Sequence, residues 1–242
     1  MINESQALEC LVLRRWDYGE KDQIISLLSR EKGRIQGIAK GAKASLKRFG
    51  PALDLFSWIK VQIKERKNSS LMFIEQAQVI SNFPKLRQDY ASILIASGLL
   101  DLSHSLFKEG TNEEGAFLHL LECLHQLEAE GAKRRIFWSF LIKNLDLLGW
   151  GLHLNHCKTC GKSLQDLRCL FDVEHGIVFC EDCNLNTPRL YALSVGLSSW
   201  MRDPSQDCLF SSQEEILMQE LLERYCQQHL HLEPDWNRFL KI

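Results

Sequence analysis

Gln23-Ile24-Ile25-Ser26-Leu27-Leu28-Ser29, a Lys32-Gly33 turn, then Arg34-Ile35-Gln36-Gly37-Ile38-Ala39: this stretch decides the fold. Two short apolar runs divided by a turn-forming glycine read as strand, turn, strand. Upstream, Leu8-Glu9-Cys10-Leu11-Val12-Leu13 reads as an earlier strand. Downstream, Leu55 to Lys64 and Leu71 to Ile80 read as two more, joined by the polar turn Glu65-Arg66-Lys67-Asn68-Ser69-Ser70. Five short strands within about eighty residues suit a small closed barrel such as an OB-fold, with an SH3-like barrel as the alternative.

After Phe83-Pro84 the apolar period changes from two to 3.6. Pro84 suits a first helical turn, and an apolar helix is expected from about Lys85 to Lys108. Thr111-x-x-Glu114 reads as a capping box opening a second helix, striped by Phe117, Leu120, Leu121, Leu124 and Leu127. A third, about Lys133 to Leu148, carries Phe137, Phe140, Leu141, Leu145 and Leu148 on one face. Ser212-x-x-Glu215 predicts a last helix with Leu217, Met218, Leu221, Leu222 and Tyr225 in line. The expected fold is therefore α+β and multidomain. Residues 1–82 form a five-stranded OB-fold barrel that binds nucleic acid, and residues 83–242 an all-α helical domain with an embedded four-cysteine zinc-knuckle element at about 153–188.

That element rests on Cys157-x-x-Cys160 and Cys180-x-x-Cys183, nineteen residues apart. Two residues between paired cysteines let a tight turn aim both thiolates at one ion, as in a tetrahedral zinc site. The alternative is two redox motifs or unrelated thiols. Leu170 to Phe179 reads as a hairpin returning the second pair to the first. Four cysteines close the coordination sphere, which points to one structural Zn2+ rather than a catalytic ion with an open position. His153, His156 and His175 flank the site without completing it.

The chain has nine cysteines, and the five outside the zinc set, Cys10, Cys123, Cys169, Cys208 and Cys226, are scattered and odd in number. That is no disulfide framework and suits a reducing compartment. Met1-Ile2-Asn3-Glu4 lacks the basic-then-apolar pattern of a signal peptide, and Ile93 to Leu102 is too short to span a bilayer. A cytoplasmic, non-membrane protein is expected. The formal charge of −2 conceals an asymmetry: residues 1–80 carry 14 Lys/Arg against 9 Asp/Glu, and residues 81–242 carry 15 against 22. The two parts are expected to meet different partners.

The strongest functional signal is Lys40-Gly41-Ala42-Lys43-Ala44-Ser45-Leu46-Lys47-Arg48-Phe49, between the third and fourth strands. Lys40, Lys43, Lys47 and Arg48 fall within nine residues without an acid, beside a glycine that lets a polyanion approach the backbone. The next strand, read as alternating, places Phe56, Trp58, Lys60, Gln62 and Lys64 on its outward face. Rings for bases and ammonium groups for phosphates are what single-stranded nucleic acid needs. The alternative is that Phe56 and Trp58 pack beneath a helix. Arg14, Arg15 and Arg34 could extend the surface. No phosphate-binding loop, nucleophile elbow, metalloprotease helix or deaminase signature is present, and the paired carboxylates Glu113-Glu114 and Glu214-Glu215 read as helix caps. No enzyme is expected.

The barrel with Lys40-Gly41-Ala42-Lys43 and Lys47-Arg48-Phe49-Gly50-Pro51-Ala52-Leu53-Asp54-Leu55-Phe56 resembles the RecO recombination mediator family. So does Leu147-Leu148-Gly149-Trp150 leading into Cys157-x-x-Cys160-Gly161 and, later, Phe179-Cys180-x-x-Cys183. The resemblance covers essentially the whole chain. Where the family's loop commonly carries arginine after Gly-Ala and then a Ser-Arg pair, this sequence has Lys43 and Leu46-Lys47-Arg48, keeping charge with fewer bidentate phosphate contacts. The resemblance implies a non-catalytic mediator in the RecF pathway of DNA repair, cytoplasmic and nucleoid-associated. Such a protein binds single- and double-stranded DNA, anneals strands, takes the C-terminal tail of single-strand-binding protein, and works with RecR to load RecA. The competing readings are an OB-fold and zinc RNA-binding module, a zinc hydrolase, and a protein-interaction scaffold.

Overall fold

The computed structural model describes residues 5–65, 69, 71–110, 114–183, 190–205, 210–232 and 235–240. Its first five strands are β1 (Gln6–Tyr18), β2 (Asp22–Ser29), β3 (Gly33–Ala39), β4 (Trp58–Lys64) and β5 (Met72–Ser81). They close into a barrel in the order β1-β2-β3-β5-β4. Neighbours run antiparallel except β3 and β5, which pair in parallel through Gly37–Met72, Ile38–Phe73 and Ala39–Ile74. This is the expected OB-fold barrel.

Closure depends on the length of β1. Its first half pairs with β4 (Leu8 opposite Val61) and its second half with β2 (Trp16 opposite Ile24), across a register shift between Val12 and Arg14. Such a bulge bends one strand enough to serve both sides of a barrel. The sequence expectation ends this strand at Leu13, where the aliphatic run stops and the polar and aromatic Arg14-Arg15-Trp16-Asp17-Tyr18 begins. Alternate residues of the other strands point inward, and Leu8, Cys10, Val12, Ile25, Leu27, Ile59, Val61, Ile63 and Ile74 form the barrel core. Each of these Leu, Ile and Val side chains contributes about 1.5–3 kcal/mol on burial.

β4 starts three residues later than its apolar pattern suggests. Leu55 and Phe56 make a turn in which Phe56 takes the left-handed conformation (φ +65°) and is buried. The Arg87 guanidinium lies 5.6 Å over that ring and donates to the Leu55 carbonyl and, at 3.2 Å, to Ser57 Oγ.

Helices follow: α1 (Tyr90–Leu106), α2 (Glu114–Glu130) and α3 (Arg134–Leu147). α1 begins later than expected because Asp89 caps it, accepting from the Ser92 backbone N–H at 3.0 Å. The Thr111 capping residue lies outside the described residues. The Cys region adds β6 (His153–Cys157), β7 (Cys169–Asp172), β8 (Ile177–Phe179) and β9 (Leu190–Leu193), a four-stranded sheet in the order β6-β8-β7-β9. The expected hairpin is β7 and β8, paired through Leu170–Phe179, Phe171–Val178 and Asp172–Ile177. The chain continues through α4 (Val195–Arg202), α5 (Ser212–Leu230) and α6 (Asn237–Leu240).

The capping box of α5 sits one residue earlier than its sequence suggested: Ser211 Oγ accepts from the Glu214 N–H (3.2 Å), and the Glu214 carboxylate accepts from the Ser211 N–H (3.0 Å). Ser194 Oγ donates to the same carboxylate at 2.5 Å. Hydrogen bonds from Ser194 and then Ser211 hold the Glu214 pKa below the ordinary carboxylate value. The stabilisation is therefore present above a pH of about 4 and fades as pH falls through the depressed pKa. Ser211→Ala should lower stability by about 1 kcal/mol in denaturant titration, and a change within error would mean that the box is frayed in solution.

By compactness the chain divides into Met1–Phe140 with Asn237–Ile242, and Leu141–Trp236. The sequence boundary at residue 82 marks where strands give way to helices. α1 and α2 nevertheless group with the barrel, because side chains such as Arg34 and Trp58 reach onto them.

Candidate nucleic-acid interface and metal centre

Cys157 ends β6, and the chain turns back at once: the Gly161 N–H donates to the Cys157 carbonyl (2.9 Å) and the Cys157 N–H to the Lys162 carbonyl (2.9 Å). Gly161 supplies the left-handed step (φ +72°). Cys180 follows β8, and a single 3-10 turn at Glu181–Cys183 brings the Cys183 N–H to the Cys180 carbonyl at 3.1 Å. The four Sγ atoms lie within 4.8 Å of one another, with Cys160 and Cys180 3.8 Å apart. A tetrahedral ion with sulfur ligands at about 2.3 Å places neighbouring sulfurs about 3.8 Å apart, so the residues fit a metal ion.

The thiol electrostatics agree. Burial opposes the Cys157 thiolate, but N–H donors from Cys160, Cys180 and Thr159 outweigh it and bring its pKa to about 6. Hydrogen bonds from Cys180 and Cys160, with the charge on Cys157, push Cys183 up to about 12. One thiolate forms readily and then opposes the others, and a divalent cation removes that opposition. His153, His156 and His175 are not in the group; His175 Nδ1 lies 2.8 Å from Asp172 Oδ2.

The basic segment 40–48 leaves β3 and returns along β5. The Gly41 N–H donates to Asp22 Oδ1 (2.8 Å), the Phe49 ring is buried in the barrel core, and the Ala77 N–H donates to the Arg48 carbonyl (2.9 Å). Gly41 has φ +66°, and a Cβ there would lie 3.2 Å from Arg48 Nη2, so glycine is favoured twice over. Lys40 and Lys47 are exposed and have no ion pair among the described residues. Lys43 pairs with Asp17 at 2.9 Å. Arg48 turns back on its own loop, donating to the Lys40 carbonyl (2.6 Å) and Ser45 Oγ (3.0 Å).

The other expected contacts are divided. Lys60 is exposed on β4 beside Gln78, while Lys64 pairs with Glu75 at 2.5 Å. Phe56 is buried under Arg87. Trp58 donates to Glu9 Oε1 (2.8 Å) and meets the α2 residue His125 edge-on at 5.9 Å, so both rings follow the packing alternative. Arg34 donates to the Phe107 carbonyl at 2.6 Å and lies 3.5 Å from Glu109. Arg14 pairs with Asp101, which also holds Arg238 at 2.9 Å. His104, packed among Arg14 and Arg34, has its pKa pushed down to about 4 by burial and then by those two charges, so it is neutral near pH 7. The sequence reading missed the β1–β2 hairpin tip, where the exposed Tyr18 and Lys21 adjoin the basic loop through a hydrogen bond from the Lys43 N–H to the Lys21 carbonyl (3.2 Å).

A basic-edged five-stranded barrel, followed by helices and a four-thiolate cluster, defines the class: a multidomain OB-fold protein with a metal-type knuckle. The family model "Recombination protein O N terminal" matches residues 3–83, and "Recombination protein O C terminal" matches residues 87–238. Similar proteins include "DNA repair protein RecO" of Anaeromyxobacter sp. (strain K), 31% identical over 77% of this chain and 73% of the relative. The Geobacter metallireducens protein of that name is 33% identical over 80% and 76%, and the Myxococcus xanthus one 30% over 80% and 79%. The chain belongs to the RecO family of DNA repair proteins.

Proposed function

We propose that this chain is a non-catalytic recombination mediator of the RecF pathway that binds single- and double-stranded DNA and anneals complementary strands. In this reading residues 1–82 are the nucleic-acid-binding domain, and Lys40, Lys43, Lys47, Lys60 and Lys64 neutralise phosphates. The observation that carries it is the solvent-facing pair Lys40 and Lys47, without a carboxylate partner among the described residues, on a barrel whose family acts in DNA repair. Neutralising backbone charge lets two strands approach without ATP. Residues 83–242 take the C-terminal tail of single-strand-binding protein, and the whole chain works with RecR to load RecA. The Cys157/Cys160/Cys180/Cys183 set holds one structural Zn2+. The protein works in the cytoplasm at the nucleoid; among the described residues no helix is long and apolar enough to cross a membrane.

The test is annealing of complementary strands coated with single-strand-binding protein, with and without RecR. Annealing well above the spontaneous rate is expected. A rate no faster than without the protein, or tighter binding of structured RNA than of single-stranded DNA, would overturn the reading.

A further inference from the structure

Phe56 is buried, and Trp58 is half-buried with its N–H on Glu9 and its ring against His125, so both are more covered than the exposed rings elsewhere on the barrel. β1 offers another pair. Beyond its bulge, Arg14, Trp16 and Tyr18 alternate onto one face, opposite Ser26, Ile24 and Asp22 of β2. Tyr18 is 56% exposed with no ring or hydrogen-bond partner among the described residues, and Trp16 is 39% exposed with one edge against His104. The free side of Trp16 lines a groove of about 520 Å³ that also includes Leu55, Arg15 and Arg238.

The charge around the hairpin tip suits a polyanion. Lys43 meets the tip through its N–H on the Lys21 carbonyl and its ammonium on Asp17, and its loop also carries Arg48, bound to the Lys40 carbonyl, and the exposed Lys40 and Lys47. Asp17 is already bound by Lys43, and Asp22 accepts from the Gly41 N–H.

We propose that Tyr18 and Trp16 are the stacking residues of the DNA interface and receive neighbouring unpaired bases while the loop lysines hold the phosphates. This rests on the DNA-binding reading above. Rings two residues apart on a strand stand about 6.6 Å apart, twice the roughly 3.4 Å axial rise per nucleotide at which bases stack in duplex DNA. A strand fitted to that interval is stretched and its bases unstacked. Face-on contact with a side chain leaves the pairing edge of each base open, so a strand held this way is presented for annealing and not sequestered. A duplex, its bases stacked inside, would gain only the lysine contacts.

The test compares a thymidine oligonucleotide with an abasic strand of equal length by fluorescence anisotropy across a salt series. The wild type should bind the base-bearing strand more tightly. Base–aromatic stacking corresponds to about 5- to 150-fold per ring, and these partly covered rings belong at the lower end, about 5- to 30-fold. Tyr18→Ala should weaken binding of the thymidine strand by that factor, leave the abasic strand unaffected, and keep the salt slope, since no phosphate contact is lost. Tyr18→Phe should behave as wild type. Trp16→Ala should act in the same direction; because it also removes packing on His104, Tyr18→Ala is the deciding variant. Wild-type binding that is salt-dependent but indifferent to the bases would overturn the stacking stripe alone. Absence of salt-dependent binding by the wild type would overturn the DNA reading and this inference with it.

Discussion

Loss of the metal should be the most damaging single change to this chain. Protein purified without chelators is expected to hold one zinc ion per chain, and Cys157→Ser with Cys160→Ser should abolish it. Structural zinc contributes about 10–16 kcal/mol of apparent free energy in zinc-finger peptides that are unfolded without it. Here β6–β9 and the buried Leu154, Leu164 and Phe171 already supply packing, so the loss should be smaller, on the order of 5 kcal/mol. That still exceeds most point substitutions. The argument is electrostatic as well as geometric: four sulfurs within 4.8 Å cannot all be thiolates without a cation. Calorimetry before and after chelation should show a transition that drops and is restored by added Zn2+, while the salt slope for single-stranded DNA stays the same. Identical melting with and without chelator would defeat the assignment, and so would iron with inorganic sulfide at the cysteines, the other common occupant of such a set.

What could be read from the sequence divides along the reach of the interactions concerned. The cysteine set was legible because two-residue spacing, a following glycine and a short hairpin are local constraints, and the structure places the four sulfurs accordingly. The five strands were legible by alternation. Their closure through the bulged β1 was not, since Arg14 to Tyr18 form a strand by pairing with β2 and not by apolar period. β6 and β9 are not legible, because His153-Leu154-Asn155-His156-Cys157 and Leu190-Tyr191-Ala192-Leu193 are too short and mixed to show a period. Phe56 looked outward only while the alternation of β4 was extended back to Leu55. What turns it inward is Arg87, some thirty residues later in the chain. Composition counts a guanidinium as charge and says nothing of its aim. Arg14, Arg34 and Arg48 therefore joined the expected interface, although each is spent on Asp101, the Phe107 carbonyl or the Lys40 carbonyl.

That distinction between free and engaged cations gives the second large effect. For single-stranded DNA each phosphate contact contributes about 0.7 to the slope of log K against log salt. Lys40→Ala, Lys43→Ala and Lys47→Ala combined should flatten the slope by about 2 and weaken binding by about 50-fold at 0.15 M salt, rising to about 500-fold at 0.05 M. Lys43 can take part because its exposed pair with Asp17 contributes at most about 1 kcal/mol, which a phosphate can displace. Arg48→Ala should behave differently. It strips the Lys40 carbonyl and Ser45 hydroxyl of their donor and loosens the turn at Gly41, so its main effect should be a stability loss of about 1 kcal/mol. Arg48→Lys should not restore that stability, because an ammonium cannot reach both acceptors in the planar geometry of the guanidinium. A slope unchanged in the triple lysine variant would remove the loop from the interface. If Arg48→Ala flattened the slope by as much as a lysine substitution, Arg48 would be a phosphate ligand that leaves its loop contacts when DNA arrives. The brace and the interface would then be alternative uses of one side chain, and binding DNA would loosen the turn that now positions Lys40.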